Sequence, residues 1–189
     1  MKAYVIEQAG GPEVLQLRDI PSQEPTADEV QIRVRAFGLN RAETYLRAGK
    51  MGAITTPRVP GIEAVGEVIH DPAGVFRTGQ RVATAMGGMQ FGRNGSYAEQ
   101  VTVLRSNVLA LGDTSLPWEE LAALPEAYLT IWGALDKSLA PVGPDHVGSG
   151  SNLVGRLGCH HLRQDPRPEG DRDHTLTGER RSVTQDGRG

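Results

Sequence analysis

Between Phe37 and Gly66 the 189-residue chain collects the side chains best suited to chemistry: Asn40, Arg41, Glu43, Thr44 and Tyr45 in one short segment, with Glu63 after a Gly- and Pro-rich loop. Together they offer an amide, a phenol, a hydroxyl and two carboxylates, a set that binds and orients polar groups by hydrogen bonds. Loops held between rigid strands are where binding and catalytic groups concentrate. An internal disulfide and multi-cysteine metal sites are excluded within one chain, because Cys159 stands alone. Cys159-His160-His161 is no better as a metal site, since adjacent side chains diverge and no further ligand has a recognised spacing.

The flanking residues must hold this segment in place. Lys2 to Ile6 and Val14 to Ile20, joined through Gly10-Gly11-Pro12, read as an N-terminal hairpin. Glu29 to Ala36 alternates, so that Val30, Ile32, Val34 and Ala36 face a core while Gln31, Arg33 and Arg35 face water. Further strands are expected at Glu63 to Ile69, where Gly66 allows a bulge or close backbone approach, and at Gly79 to Ala85, Ser96 to Val103 and Val108 to Leu111. The loop Met86 to Gly95 holds four glycines and little that would pack. Strands at this spacing predict a small barrel-like β domain. From Pro117 the period becomes helical, through Trp118, Leu121, Ala122 and Leu124, then through Leu129, Trp132, Leu135 and Leu139 in the segment Glu126 to Leu139.

The formal net charge of −3 gives no electrostatic case for nucleic acid or an anionic membrane as partner. No run of about 18 apolar residues would span a bilayer, and Glu7 and Gln8 interrupt any leader, so a cytoplasmic protein is expected. Residues 143–189 have no aromatic residue and no lysine, and their apolar residues follow neither a period of two nor one of 3.6. Such a segment cannot build a packed element and is expected to be disordered.

Five patterns occur in order: G-L-N-R-A-E-T-Y-L-R-A-G from Gly38, P-G-I-E-A-V-G-E-V from Pro60, T-G-Q-R-V from Thr78, G-S-Y-A-E from Gly95, and L-P-E-A-Y-L-T-I-W-G-A-L from Leu124. Over residues 1 to about 140 the chain resembles the medium-chain dehydrogenase/reductase superfamily, in its zinc-independent quinone oxidoreductase branch. The resemblance implies a mainly β fold with some α: a GroES-like β-barrel catalytic domain over 1–124 and a helix over 125–142 that leads to a Rossmann domain. It further implies hydride transfer from NADPH to a small-molecule quinone or enone. Zinc relatives in the superfamily carry a cysteine where this chain has Asn40 and a histidine where it has Ile62, so no metal is expected. The resemblance places Asn40 and Tyr45 at the nicotinamide and substrate pocket, with Tyr45 able to orient or protonate the acceptor oxygen, and makes Thr130 a cofactor contact. Plainer readings make Tyr45 a wall residue, Thr130 a helix-packing hydroxyl and Glu63 a structural ion-pair partner.

After the helix, family members continue with strand, glycine turn and helix, whereas Gly148, Gly150 and Gly155 follow no apolar strand. Reading the codons allowed from Asp145 one base downstream admits strand, glycine turn, helix and second strand. The expectation is a frame slip between about Val142 and Asp145, which makes 143–189 an out-of-frame tail and leaves the Rossmann domain missing. A fragment of that kind would bind no NADPH measurably, would be inactive, and would give no basis for the homodimer open to a complete form. The competing expectation is a stand-alone GroES-like module that binds a partner through its exposed helix without catalysis.

Overall fold

The computed structural model describes residues 1–137. The expected out-of-frame tail, 143–189, and the last five residues of the expected helix 125–142 lie outside the described residues. Seven strands run through the domain: β1 (Lys2–Val5), β2 (Gln16–Asp19), β3 (Glu29–Ala36), β4 (Glu63–His70), β5 (Arg81–Ala85), β6 (Gln100–Leu104) and β7 (Val108–Ala110). Helix α1 (Arg41–Arg47) lies between β3 and β4, and α2 (Trp118–Leu121) and α3 (Pro125–Lys137) follow β7.

Five strands form one antiparallel sheet in the order β6-β3-β4-β5-β7, and β1 pairs with β2 as the expected hairpin. The segment Tyr97–Glu99 ties the two together: Tyr4 N–H donates to Tyr97 O at 2.8 Å, Glu99 N–H to Lys2 O at 3.0 Å, and Val34 N–H to Glu99 O at 3.0 Å. The curled sheet is a half-barrel in which Val30, Ile32, Val68, Val82, Met89, Val101 and Val103 form the main apolar cluster. Gly66 sits beside a register shift between β3 and β4, and a Cβ there would collide with the Arg33 carbonyl, so the close approach expected of it is present.

Four expectations change. Gln31 does not face water, because the segment before β3 crosses over it and its amide donates to Ser22 Oγ at 2.9 Å and Gln23 O at 3.0 Å. The glycine loop after β5 does pack, since Met89 and Gln90 are fully buried. The strand expected from Ser96 begins only at Gln100, because Tyr97–Glu99 bonds the hairpin instead. In α3 it is Ile131 that is buried, while Leu129 and Trp132 stay exposed. The helix therefore rests on a different stripe from the one its leucines suggest.

Candidate functional site

The site starts from the local chemistry of α1. Asn40 is its N-cap in extended conformation, and its backbone N–H donates to Glu43 Oε2 at 2.5 Å. An acid three residues into a helix is well placed to take an N–H that the helix leaves free. Leu46 is buried and anchors the helix, which ends at Gly49 in the left-handed region (φ 71°), where Gly49 N–H returns to Leu46 O.

Glu63, at the first position of β4, reaches toward this N-terminus from across the sheet. Its Oε1 accepts the Asn40 side-chain Nδ2–H at 2.8 Å, and its Oε2 accepts the backbone N–H of Glu126 at 2.8 Å. The second bond meets a free amide in the first turn of α3, where negative charge is favoured. Gly38 makes room for this, because a Cβ there would strike the Glu63 carboxylate. One turn along α3, Thr130 Oγ donates to Glu126 Oε1 at 2.8 Å. Asn40 and Thr130 are thus joined through two carboxylates into one polar chain spanning α1, β4 and α3.

Burial dominates the electrostatics here. It pushes both Glu43 and Glu63 above the ordinary carboxylate range. Donors from Asn40 pull the other way in each, and the neighbouring Glu126 charge pushes Glu63 further up. Tyr97 is raised to about 12, first by burial and then by the Glu43 charge. Two buried carboxylate oxygens, Glu43 Oε1 and Glu126 Oε2, have no partner among the described residues. Glu63 is not the ion-pair partner that the plainer reading made it, since its partners are an amide side chain and a backbone N–H.

Tyr45 stands apart from this chain. Its hydroxyl oxygen accepts from Arg41 Nε at 2.5 Å, and the Arg41 guanidinium and Lys50 ammonium lie 5.3 and 5.7 Å from its ring centre. It is 36% exposed and keeps its own proton available to a ligand. The structure therefore links two of the three predicted residues and sets the third on the open side of α1. The sequence singles out Glu43 and Glu63 without giving either a place in the site, and does not single out Glu126. The Asn40-to-Glu43 spacing is a readable capping signal, but nothing local announces Glu126.

Ile62 is buried, and among the described residues no group of three or more His, Cys, Asp or Glu is placed to hold a metal ion. Among those residues, too, no helix is long and apolar enough to cross a membrane.

The alcohol dehydrogenase GroES-like domain matches residues 26–113. The chain is similar to quinone oxidoreductase of Pseudomonas aeruginosa, 38% identical over 117 residues, which cover 61% of the chain and 34% of that relative. To human quinone oxidoreductase it is 35% identical over 169 residues, covering 86% of the chain and 50% of the relative. Among solved structures it resembles the Pseudomonas syringae pv. Tomato DC3000 quinone oxidoreductase, with TM-score 0.64 and 33% identity over 72% of the chain and 41% of that one. It likewise resembles Escherichia coli quinone oxidoreductase complexed with NADPH, with TM-score 0.64 and 28% identity over 72% and 41%. The chain thus spans half or less of the length of these relatives.

Proposed function

The chain belongs to the medium-chain dehydrogenase/reductase superfamily, in its quinone oxidoreductase-like branch, and from that premise we propose that residues 1–137 are the catalytic half of a zinc-independent, NADPH-dependent reductase of small quinones or enones. The observation that carries this reading is the chain Asn40–Glu63–Glu126–Thr130. It binds the loop after β3 to the start of α3 and lines up the residues that the resemblance assigns to the cofactor. NADPH, when bound, supplies the hydride. Tyr45 would orient the acceptor oxygen with its hydroxyl, which Arg41 already holds from the other side. The residues fit the nicotinamide end in their chemistry, since Asn40 and Thr130 offer hydrogen-bonding groups and Glu126 Oε2 has no partner among the described residues. Every strand pairing in the two sheets is antiparallel, so the strand-turn-helix unit that holds a pyrophosphate is not found among the described residues.

We keep the domain division at 124 and 142, the frame slip, the inactivity of this chain and a cytoplasmic location as parts of the proposal. One comparison bears on the slip: the match to the human relative covers 86% of the chain, more than residues 1–142 make up, so some later residues match as they stand. Resequencing the codons for Pro141 to Asp145, followed by assay of the product of each frame for quinone-dependent NADPH oxidation, tests the reading. Zinc-free activity in the product of the frame one base downstream, and none in the 189-residue chain, is expected. Stoichiometric zinc, or an inactive downstream-frame product, would overturn it.

A second reading, a binding module without catalysis, is favoured by the exposure of Leu129 and Trp132 on α3. A thermal shift on adding NADPH to the downstream-frame product is expected of the reductase and has no place in the module.

A further inference from the structure

We propose that Glu63 is a positioning residue that sets the hydrogen-bond polarity of the site: it turns the Asn40 amino group into the protein, so that Asn40 meets a ligand with its carbonyl, as an acceptor. The inference deepens the function proposed above and rests on it for the ligand, though not for the geometry.

Glu63 is buried, and both its oxygens are occupied, one by Asn40 Nδ2 at 2.8 Å and the other by Glu126 N–H at 2.8 Å. Rotating the carboxylate to release Asn40 would break the second bond as well. A carboxylate accepts only, so the edge of the Asn40 amide that faces it is the NH₂ edge. Glu43 accepts the Asn40 backbone N–H, which holds the main chain at the cap and leaves the direction of the side-chain amide to Glu63. With the amide reversed, its carbonyl oxygen would face buried carboxylates with no proton between them, and unpartnered buried acceptors are costly. Asn40 is itself only half-buried, and its side-chain oxygen, which faces the Glu43 backbone N–H in the capping box, keeps a second lone pair with which to meet a ligand.

The same argument assigns the other two residues. Thr130 gives its proton to Glu126 and retains an oxygen that accepts. Tyr45 accepts from Arg41 and retains a proton that donates. The site therefore selects a ligand that carries an N–H or O–H group, such as a primary carboxamide or hydroxyl, for Asn40 and Thr130. A bare carbonyl oxygen, the group to be reduced, is suited to Tyr45 and would find no donor at Asn40.

The test uses the 189-residue protein labelled with ¹⁵N and follows the Asn40 side-chain NH₂ protons by NMR. In the wild type they should exchange with solvent roughly tenfold more slowly than a free amide, as a charge-assisted bond requires. Glu63→Gln should speed that exchange. Asn40→Asp places a third carboxylate against Glu63 and Glu43, with Glu126 close behind. It should leave a fold that is stable in acid and weakens steeply toward neutral pH, with part of the loss recovered in the double variant with Glu63→Gln. Wild-type Asn40 protons exchanging as fast as a free amide, or Asn40→Asp showing no more pH dependence than wild type, would overturn the proposal. Both readouts stand even if Glu63→Gln does not fold. Titration of the downstream-frame product with NADPH is read separately: its failure counts against the reductase and leaves the Asn40 result intact.

Discussion

At one end of the β3–β4 ladder, Glu29 is buried and Asp71 half-buried with its side chain covered, both beside arginines. Arg93 pairs with Glu29, and Arg105 meets Asp71 Oδ1 through Nη2 at 2.7 Å and Nε at 3.1 Å. At the opposite end, Glu43 and Glu63 are buried too, yet the bonds they accept come from Asn40, neighbouring main chain and a helix N-terminus rather than from a cation. The Arg105 hydrogen bonds hold Asp71 down at about 2, while burial holds Glu43 and Glu63 up. The Arg-paired end is built for stability. The Asn40 end leaves its negative charge without a cation, as a site that must receive a ligand's donors would.

The largest effect is expected from making the first end resemble the second. Arg105→Met takes the cation from Asp71, leaving it the Ala73 and Phe76 N–H groups, and also breaks the bonds to Ala27 O and Glu29 O; it should cost about 3 kcal/mol at neutral pH by urea unfolding. Because the folded pKa of Asp71 lies below its ordinary value of 3.8, its contribution is present above that value and fades as pH falls toward 2. The variant and wild type should therefore converge in acid.

Asn40→Ala comes next, at about 2 kcal/mol, because it strips the side-chain donor from the buried Glu63 and removes the N-cap side chain of α1, while the backbone N–H to Glu43 remains. The sign of its pH dependence is opposite. Glu43 and Glu63 have folded pKa values above 4.5, so their protonated forms favour the fold and stability falls as pH rises through those values. Asn40→Ala should steepen that fall, measured as denaturation midpoints between pH 4 and 7. Glu43→Gln is expected to flatten it, with a change below about 1 kcal/mol at neutral pH, since an amide oxygen still accepts the Asn40 N–H. Trp132→Lys lies outside both ends and serves as the control. It should stay within about 0.5 kcal/mol of wild type while reducing self-association in sedimentation.

Much of this architecture is legible in the residue order. The hairpin, the strand into Phe37, the bulge at Gly66 and the change to helix after Pro117 all have local signals. So does Asn40, as the cap of a helix whose third residue is an acid. What is not legible depends on chain crossings. Gln31 looks like a solvent-facing residue until the segment around Ser22 and Gln23 covers it, and Met89 looks like part of a loose loop until the sheet curls around it. Glu63 reads as an ordinary strand acid because its two partners lie 23 and 63 residues away. No window of sequence contains that arrangement.

The most direct measurement is the pH titration of the side-chain carboxyl ¹³C shifts of Glu43, Glu63 and Asp71 in one labelled sample. The account predicts Asp71 near 2 and both glutamates above 4.5, with the Asn40 NH₂ signals moving along the Glu63 curve. Glu63 titrating at or below 4.5, with Asn40 unaffected, would contradict it.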